Sequence, residues 1–215
     1  SCAPWPRSFA RHHVEDQAML RVLHLGDLGV ALPLGAALAA WLLAAGAWRT
    51  ALRWGACFGA AVVLVGGSKI AHLGWGTDFS MLEFKAISGH ATLVGALYPF
   101  AAWVVLSRQG QVAARTGLAL GLLLGLVVAA LLVVTGEHTA AEALSGWLLG
   151  VAASLLGAAW SGDLERARLL PAMWWSLPVF AVGAWLMEFA HVGYWMILVA
   201  LALSGNSHPY PWDTC

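Results

Sequence analysis

Long uninterrupted apolar runs constrain this chain more than any other feature. Runs able to cross or nearly cross a bilayer lie at about 28 to 48, 51 to 67, 90 to 107, 117 to 135 and 140 to 160, with a further apolar region at 172 to 204. A hydrocarbon core about 30 Å thick needs about 20 apolar residues in helical form. In lipid every backbone N–H and C=O must be satisfied within the segment. With Glu188 and His191 interrupting the last region, the pattern predicts an all-α polytopic bundle of about six spans. Residues 1–27 form an N-terminal interfacial segment, 28–188 the transmembrane bundle, and 189–215 a C-terminal apolar helix and tail. The helix near 191 to 204 covers only about 21 Å with its 14 residues, which leaves open both a span and a helix lying along the surface.

Composition supports the same class. The 215 residues are 60% hydrophobic and 10% charged, and mean hydropathy is +0.76, outside what a soluble domain tolerates. Eleven basic residues balance eleven acidic ones, so no basic surface argues for nucleic acid. The start of the chain lacks the short apolar core of a signal peptide, so the first span is expected to act as the targeting signal. Several of the tryptophans (Trp41, Trp48, Trp54, Trp75, Trp103, Trp160, Trp174 and Trp175) stand near run ends, where an aromatic belt is expected. Cys2, Cys57 and Cys215 fit neither a zinc site nor a disulfide framework.

Charge orients the bundle. Short loops carrying Arg49/Arg53, Arg108/Arg115 and Arg166/Arg168 fall on one side, the mark of a cytoplasmic face. The opposite side, expected to face the periplasm of a bacterial inner membrane, holds the segments 67 to 92 and 135 to 147. In the first of these, Ser88-Gly89-His90 opens a span. First-turn N–H groups lack intrahelical partners there, so the terminus favours anions. In the second, His138 and Glu142 stand four apart, on one helix face, and the carboxylate can fix the imidazole tautomer.

Lys69, then Ser88-Gly89-His90, then His138-x3-Glu142 before the small-residue stretch Ser145-Gly146-Trp147-Leu148-Leu149-Gly150, resembles the type 2 phosphatidic acid phosphatase family over roughly residues 28 to 160. The resemblance implies a helical membrane bundle that removes phosphate from lipid phosphomonoesters or pyrophosphates without metal or other cofactor. It implies a phosphohistidine on His138, Glu142 as its orienting residue and His90 as the acid for the leaving oxygen. Lys69, Ser88 and Gly89 would hold phosphate. The family pattern expects Arg-Pro where Gly76-Thr77 stand and Ser-Arg where Leu131-Leu132 stand. Both phosphate-clamping arginines are therefore absent, and such donors are worth about 2.7 to 4 kcal/mol each in a transition state. Lys85 is the one new cation near enough in sequence to substitute, although it offers a point charge where arginine offers a planar fork. Glu137, Asp78 and Glu83 add negative charge near the same face.

Two functions follow as expectations. One is a phosphatase acting on membrane lipids that carry phosphate. The other is a catalytically inactive phosphatase-fold subunit, structural or lipid-binding, of a larger membrane complex. A transporter is disfavoured, since no span carries a charge near its middle. His12, His13, His24, His72, His191 and His208 form no spacing expected of a metal or haem site.

Overall fold

The computed structural model describes residues 22–78 and 84–211. Cys2, Cys215, His12, His13 and Glu83 lie outside them. The described residues are helical apart from turns and short connections. Seven helical segments organise the bundle: α1 (Leu28–Ala44), α2 (Trp48–Trp75), α3 (Gly89–Leu106), α4 (Gln111–Val134), α5 (Ala140–Ala159), α6 (Leu169–Phe189) and α7 (Val192–Ser204). Five of them, α2 to α6, are long and apolar enough to cross a membrane. Helix α1 has 17 residues and α7 has 13, so both are shorter apolar helices.

Helix α2 continues two turns beyond the expected end at 67. It carries Lys69 and His72 inside the helix and stops at Trp75, where Gly76 takes φ +63° as a left-handed cap. His72 is buried, 4% exposed. Its Nδ1 stands 3.0 Å from the Thr77 carbonyl, which supplements the cap.

Lipid tails are as apolar as leucine, so helices in a membrane associate by close packing and not by hydrophobic exclusion. Here α3 sits between α4 and α5 and is the most enclosed span. Close approach of α5 requires glycine: a Cβ on Gly146 would run into the Ser88 carbonyl oxygen, and one on Gly150 into that of Thr92. A second contact centre lies at the other end, where Trp54 stacks between Phe58 and Phe100 with centroids 5.1 and 4.8 Å away. The aromatic belt is thus only partly realised. Trp48, Trp75, Trp160, Trp174 and Trp175 are exposed. Trp54 is buried, and the indoles of Trp41 and Trp103 donate to the Leu169 carbonyl and the Ser161 hydroxyl.

The three arginine-bearing turns gather at one end of the bundle. The Arg168 N–H donates to the Ala45 carbonyl at 2.9 Å, and an Arg108 guanidinium N–H donates to the Ala167 carbonyl at 3.1 Å. Asp163 caps the start of α2 from a distant turn. It accepts the Arg49 N–H at 3.1 Å, the Thr50 N–H at 3.4 Å and the Thr50 hydroxyl. Burial pushes this carboxyl up, but the Thr50 and Arg49 donors outweigh it and hold the group below the usual carboxylate range.

Candidate functional site

The opposite end is built around one carboxylate. Thr139 caps α5, accepting the Glu142 N–H at 3.3 Å, while Glu142 Oε2 reaches back to the Thr139 N–H at 3.3 Å. That capping box is legible in the sequence as Thr139-x2-Glu142, and Glu142 is a capping residue as well as a histidine partner. Oε2 also stands 2.9 Å from His138 Nδ1, and Oε1 accepts the Lys85 N–H at 2.9 Å and the Ala86 N–H at 3.3 Å. Glu142 is 6% exposed and carries four such contacts, as a buried charge must.

The same helix start then fixes the strand of chain entering α3. The Ile87 N–H donates to Ser68 Oγ at 3.1 Å, and the Ser88 N–H to the Glu142 carbonyl at 3.1 Å. Ser88 is fully buried, and its hydroxyl accepts the Ala91 N–H at 3.4 Å as the helix cap. Of Lys85, the backbone is the part tied to Glu142.

Gly89 and Lys69 come together. A Cβ on Gly89 would lie 3.9 Å from the Lys69 Nζ, so the ammonium stands beside the first turn of α3 at the residue that exposes backbone most. Lys69 also feels the charge of the Glu142 carboxylate. Both Lys69 and Gly89 line a cleft of about 140 Å³ with His90, Thr92 and Gly26, and its remaining walls are apolar, from Val62 and Val65 to Val192 and Met196. The cleft runs between α2, α3 and α7. An apolar groove with a cation and a helix N-terminus at its head suits a lipid whose polar end is anionic.

His90 has a partner that sequence reasoning missed. Its Nε2 stands 2.9 Å from Asp27 Oδ1, and the other oxygen of Asp27 stands 2.6 Å from His24 Nδ1. Asp27 occupies the N-cap position of α1 but makes no side-chain cap bond. Its carboxylate is given to the two imidazoles instead. Burial pushes the Asp27 carboxyl up, while hydrogen bonds from His24 and His90 and their charge outweigh it and hold the group low. The only signal in the sequence was an acid directly preceding the first apolar run.

The site therefore consists of two His–carboxylate pairs, Asp27–His90 and Glu142–His138, flanking the start of α3. His90 lines the cleft, whereas His138 does not; the His138 side chain is 20% exposed beside it. The expected arginine positions are closed. A side chain at Gly76 would meet the Tyr210 ring and require a left-handed backbone, and Leu132 is 2% exposed, with its carbonyl accepting the His138 N–H at 3.1 Å. Glu137 and Asp78 are exposed. Among the described residues no three His, Cys, Asp or Glu side chains converge as metal ligands would. Of the remaining histidines, His191 Nδ1 lies 3.0 Å from the Phe189 carbonyl and His208 pairs with the Ser207 hydroxyl.

No family model matches this chain, and no solved structure matches it. Among curated proteins it is similar to an uncharacterized 22.5 kDa protein in cps region from Klebsiella pneumoniae, with 33% identity over 132 residues. That alignment covers 61% of this chain and 63% of the relative, less than two thirds of the relative's length.

Proposed function

We propose that this membrane protein acts on lipids bearing a phosphate monoester or pyrophosphate, through a phosphohistidine on His138. The observation that carries the proposal is the Glu142–His138 pair at 2.9 Å. A carboxylate bound to Nδ1 makes Nδ1 the protonated nitrogen and leaves Nε2 with its lone pair, the arrangement of an activated nucleophile. Lys69 and the first-turn N–H groups of α3 would receive the phosphate. In the first step the His138 Nε2–P bond forms as the P–O bond to the lipid breaks, and the leaving oxygen takes a proton from His90. Water then attacks the phosphorus of the phosphohistidine, its proton passing to His90 as the Nε2–P bond breaks and its electron pair returns to His138 Nε2, and inorganic phosphate leaves. Asp27 holds His90 in place for that exchange.

The resemblance to type 2 phosphatidic acid phosphatases supports the order of these residues, and the gathering of the arginine turns at the far end supports a bacterial inner membrane location with this site towards the periplasm. α1 would serve as the sixth span, since its 17 residues cover about 25 Å.

A second reading has its own support. Burial of Leu132 and the Gly76–Tyr210 contact leave no room for the two clamping arginines, which favours a bundle that binds phosphorylated lipid, alone or within a complex, without turning it over. Phosphate release from a panel of lipid phosphates by the purified protein separates the two. Turnover that disappears in His138→Ala supports the enzyme. Equal silence of wild type and variant, with lipid binding retained, supports the binding protein. Robust turnover without His138 overturns both.

A further inference from the structure

At the end of the bundle remote from His138, three arginines from two separate turns line one pocket. Arg108 comes from the turn between α3 and α4, and Arg166 and Arg168 from the segment leading into α6. Their pocket has a volume of about 310 Å³, and its other wall is Ala167, Leu169, Leu170 and Pro171. The Arg108 guanidinium donates to the carbonyl of Ala167, the residue that stands between Arg166 and Arg168 in sequence. Among the described residues no carboxylate lies within 4.0 Å of any of them, since the ion pairs found there all involve histidine. Asp163 is turned to Thr50 and the Arg49 N–H, and Glu165 lines the neighbouring hollow with Arg108.

We propose that this pocket is a headgroup site for an anionic phospholipid of the leaflet opposite the His138 end. The pocket lies where a membrane-spanning segment begins, at Leu169, which is headgroup depth. A phosphodiester matches the arginine fork in charge and geometry. The acyl side of the same lipid would meet Leu170, 75% exposed, and the exposed Trp174 and Trp175 one turn further on. A free inorganic anion gains nothing from those apolar residues, so the pocket is assigned to lipid and not to soluble phosphate. Clustering of arginine at a cytoplasmic face requires no shared pocket, and here three line one pocket with no ion-pair partner among the described residues. The inference does not rest on any chemistry at His138.

Native mass spectrometry of the full chain, released from micelles doped with dioleoyl phosphatidylglycerol or dioleoyl phosphatidylcholine, tests it. Wild type is expected to retain phosphatidylglycerol preferentially. Arg166→Gln/Arg168→Gln, which spares the Arg108 anchor, is expected to lower that retention at least about tenfold, at roughly fivefold per arginine near a membrane surface. Arg53→Gln, an exposed arginine of the same end that does not line the pocket, is expected to leave it unchanged. If the double variant does not yield folded protein by thermal melt, Arg166→Gln alone carries the test with a roughly fivefold loss. Equal retention of phosphatidylcholine, undiminished phosphatidylglycerol in the arginine variants, or displacement of the lipid by millimolar inorganic phosphate each overturns the proposal.

Discussion

Asp27 Oδ1 stands 2.9 Å from His90 Nε2 across 63 positions of sequence, and the aspartate forgoes capping its own helix to make that contact. A carboxylate in this position fixes the orientation and tautomer of the ring. Asp27→Asn keeps the shape and removes the charge. In the enzyme it is expected to lower kcat by about tenfold or more with little change in KM, because general acid catalysis is worth roughly 10² to 10⁴ in rate. Thermal melts discriminate this role from a structural one: Asp27→Asn should leave the melting transition close to wild type while kcat falls, whereas a packing defect would lower both.

Glu142 is expected to matter to folding as well as to chemistry. Glu142→Gln retains one carbonyl acceptor but replaces the other oxygen with a donor, facing N–H groups of Thr139, Lys85 or Ala86. Stranding buried donors costs about 1 to 3 kcal/mol, so thermal stability should fall measurably along with turnover. His138→Ala, by contrast, should abolish turnover while leaving the melting transition close to wild type. A stable, fully active Glu142→Gln would contradict the part assigned to this residue.

Placing arginine where the phosphatidic acid phosphatase pattern expects it should fail. Leu132→Arg places a guanidinium at a buried position packed against α3, and Gly76→Arg must adopt φ +63° against the Tyr210 ring. Both are expected to reduce yield and melting temperature, by at least about 1 to 3 kcal/mol for overpacking alone, with no gain in phosphate release. An increase in turnover by either would show that these positions open towards the cleft.

Asp163 sets an acid limit on the arginine end. Its folded carboxyl titrates below the unfolded value near 3.9, so its stabilisation is present above that value and is lost as pH falls through the lower, folded one. Asp163→Asn should lower stability at neutral pH, and the difference from wild type should shrink as the medium is acidified below about pH 4. Melting curves of both proteins between neutral and acid pH provide the check; a constant difference would assign the effect to packing.

Orientation is testable by labelling. With native cysteines removed, Glu137→Cys is expected to react with an impermeant reagent applied to the periplasmic side, and Gln109→Cys and Gly162→Cys are expected to stay unlabelled until the membrane is opened. The opposite pattern would invert the bundle and put the His138 site in the cytoplasm.

What the sequence determined by itself was the class of the molecule, since apolar length dictates helices wherever water is absent to satisfy the backbone. The Thr139 capping box lay in the same local code, and the Glu142–His138 pair forms beside it; His138 precedes the cap and stands outside the helix, so the turn and not a shared helix face brings the two together. Tertiary structure alone decided what meets across the bundle. Asp27 reaching His90, Lys69 coming up beside Gly89, Ser88 turning inward under Gly146, and the Arg108–Ala167 bond each join segments whose separation in sequence carries no periodic signal. They are set by how closely helices approach, and that distance depends on the small residues at each crossing and on the packing of several helices at once.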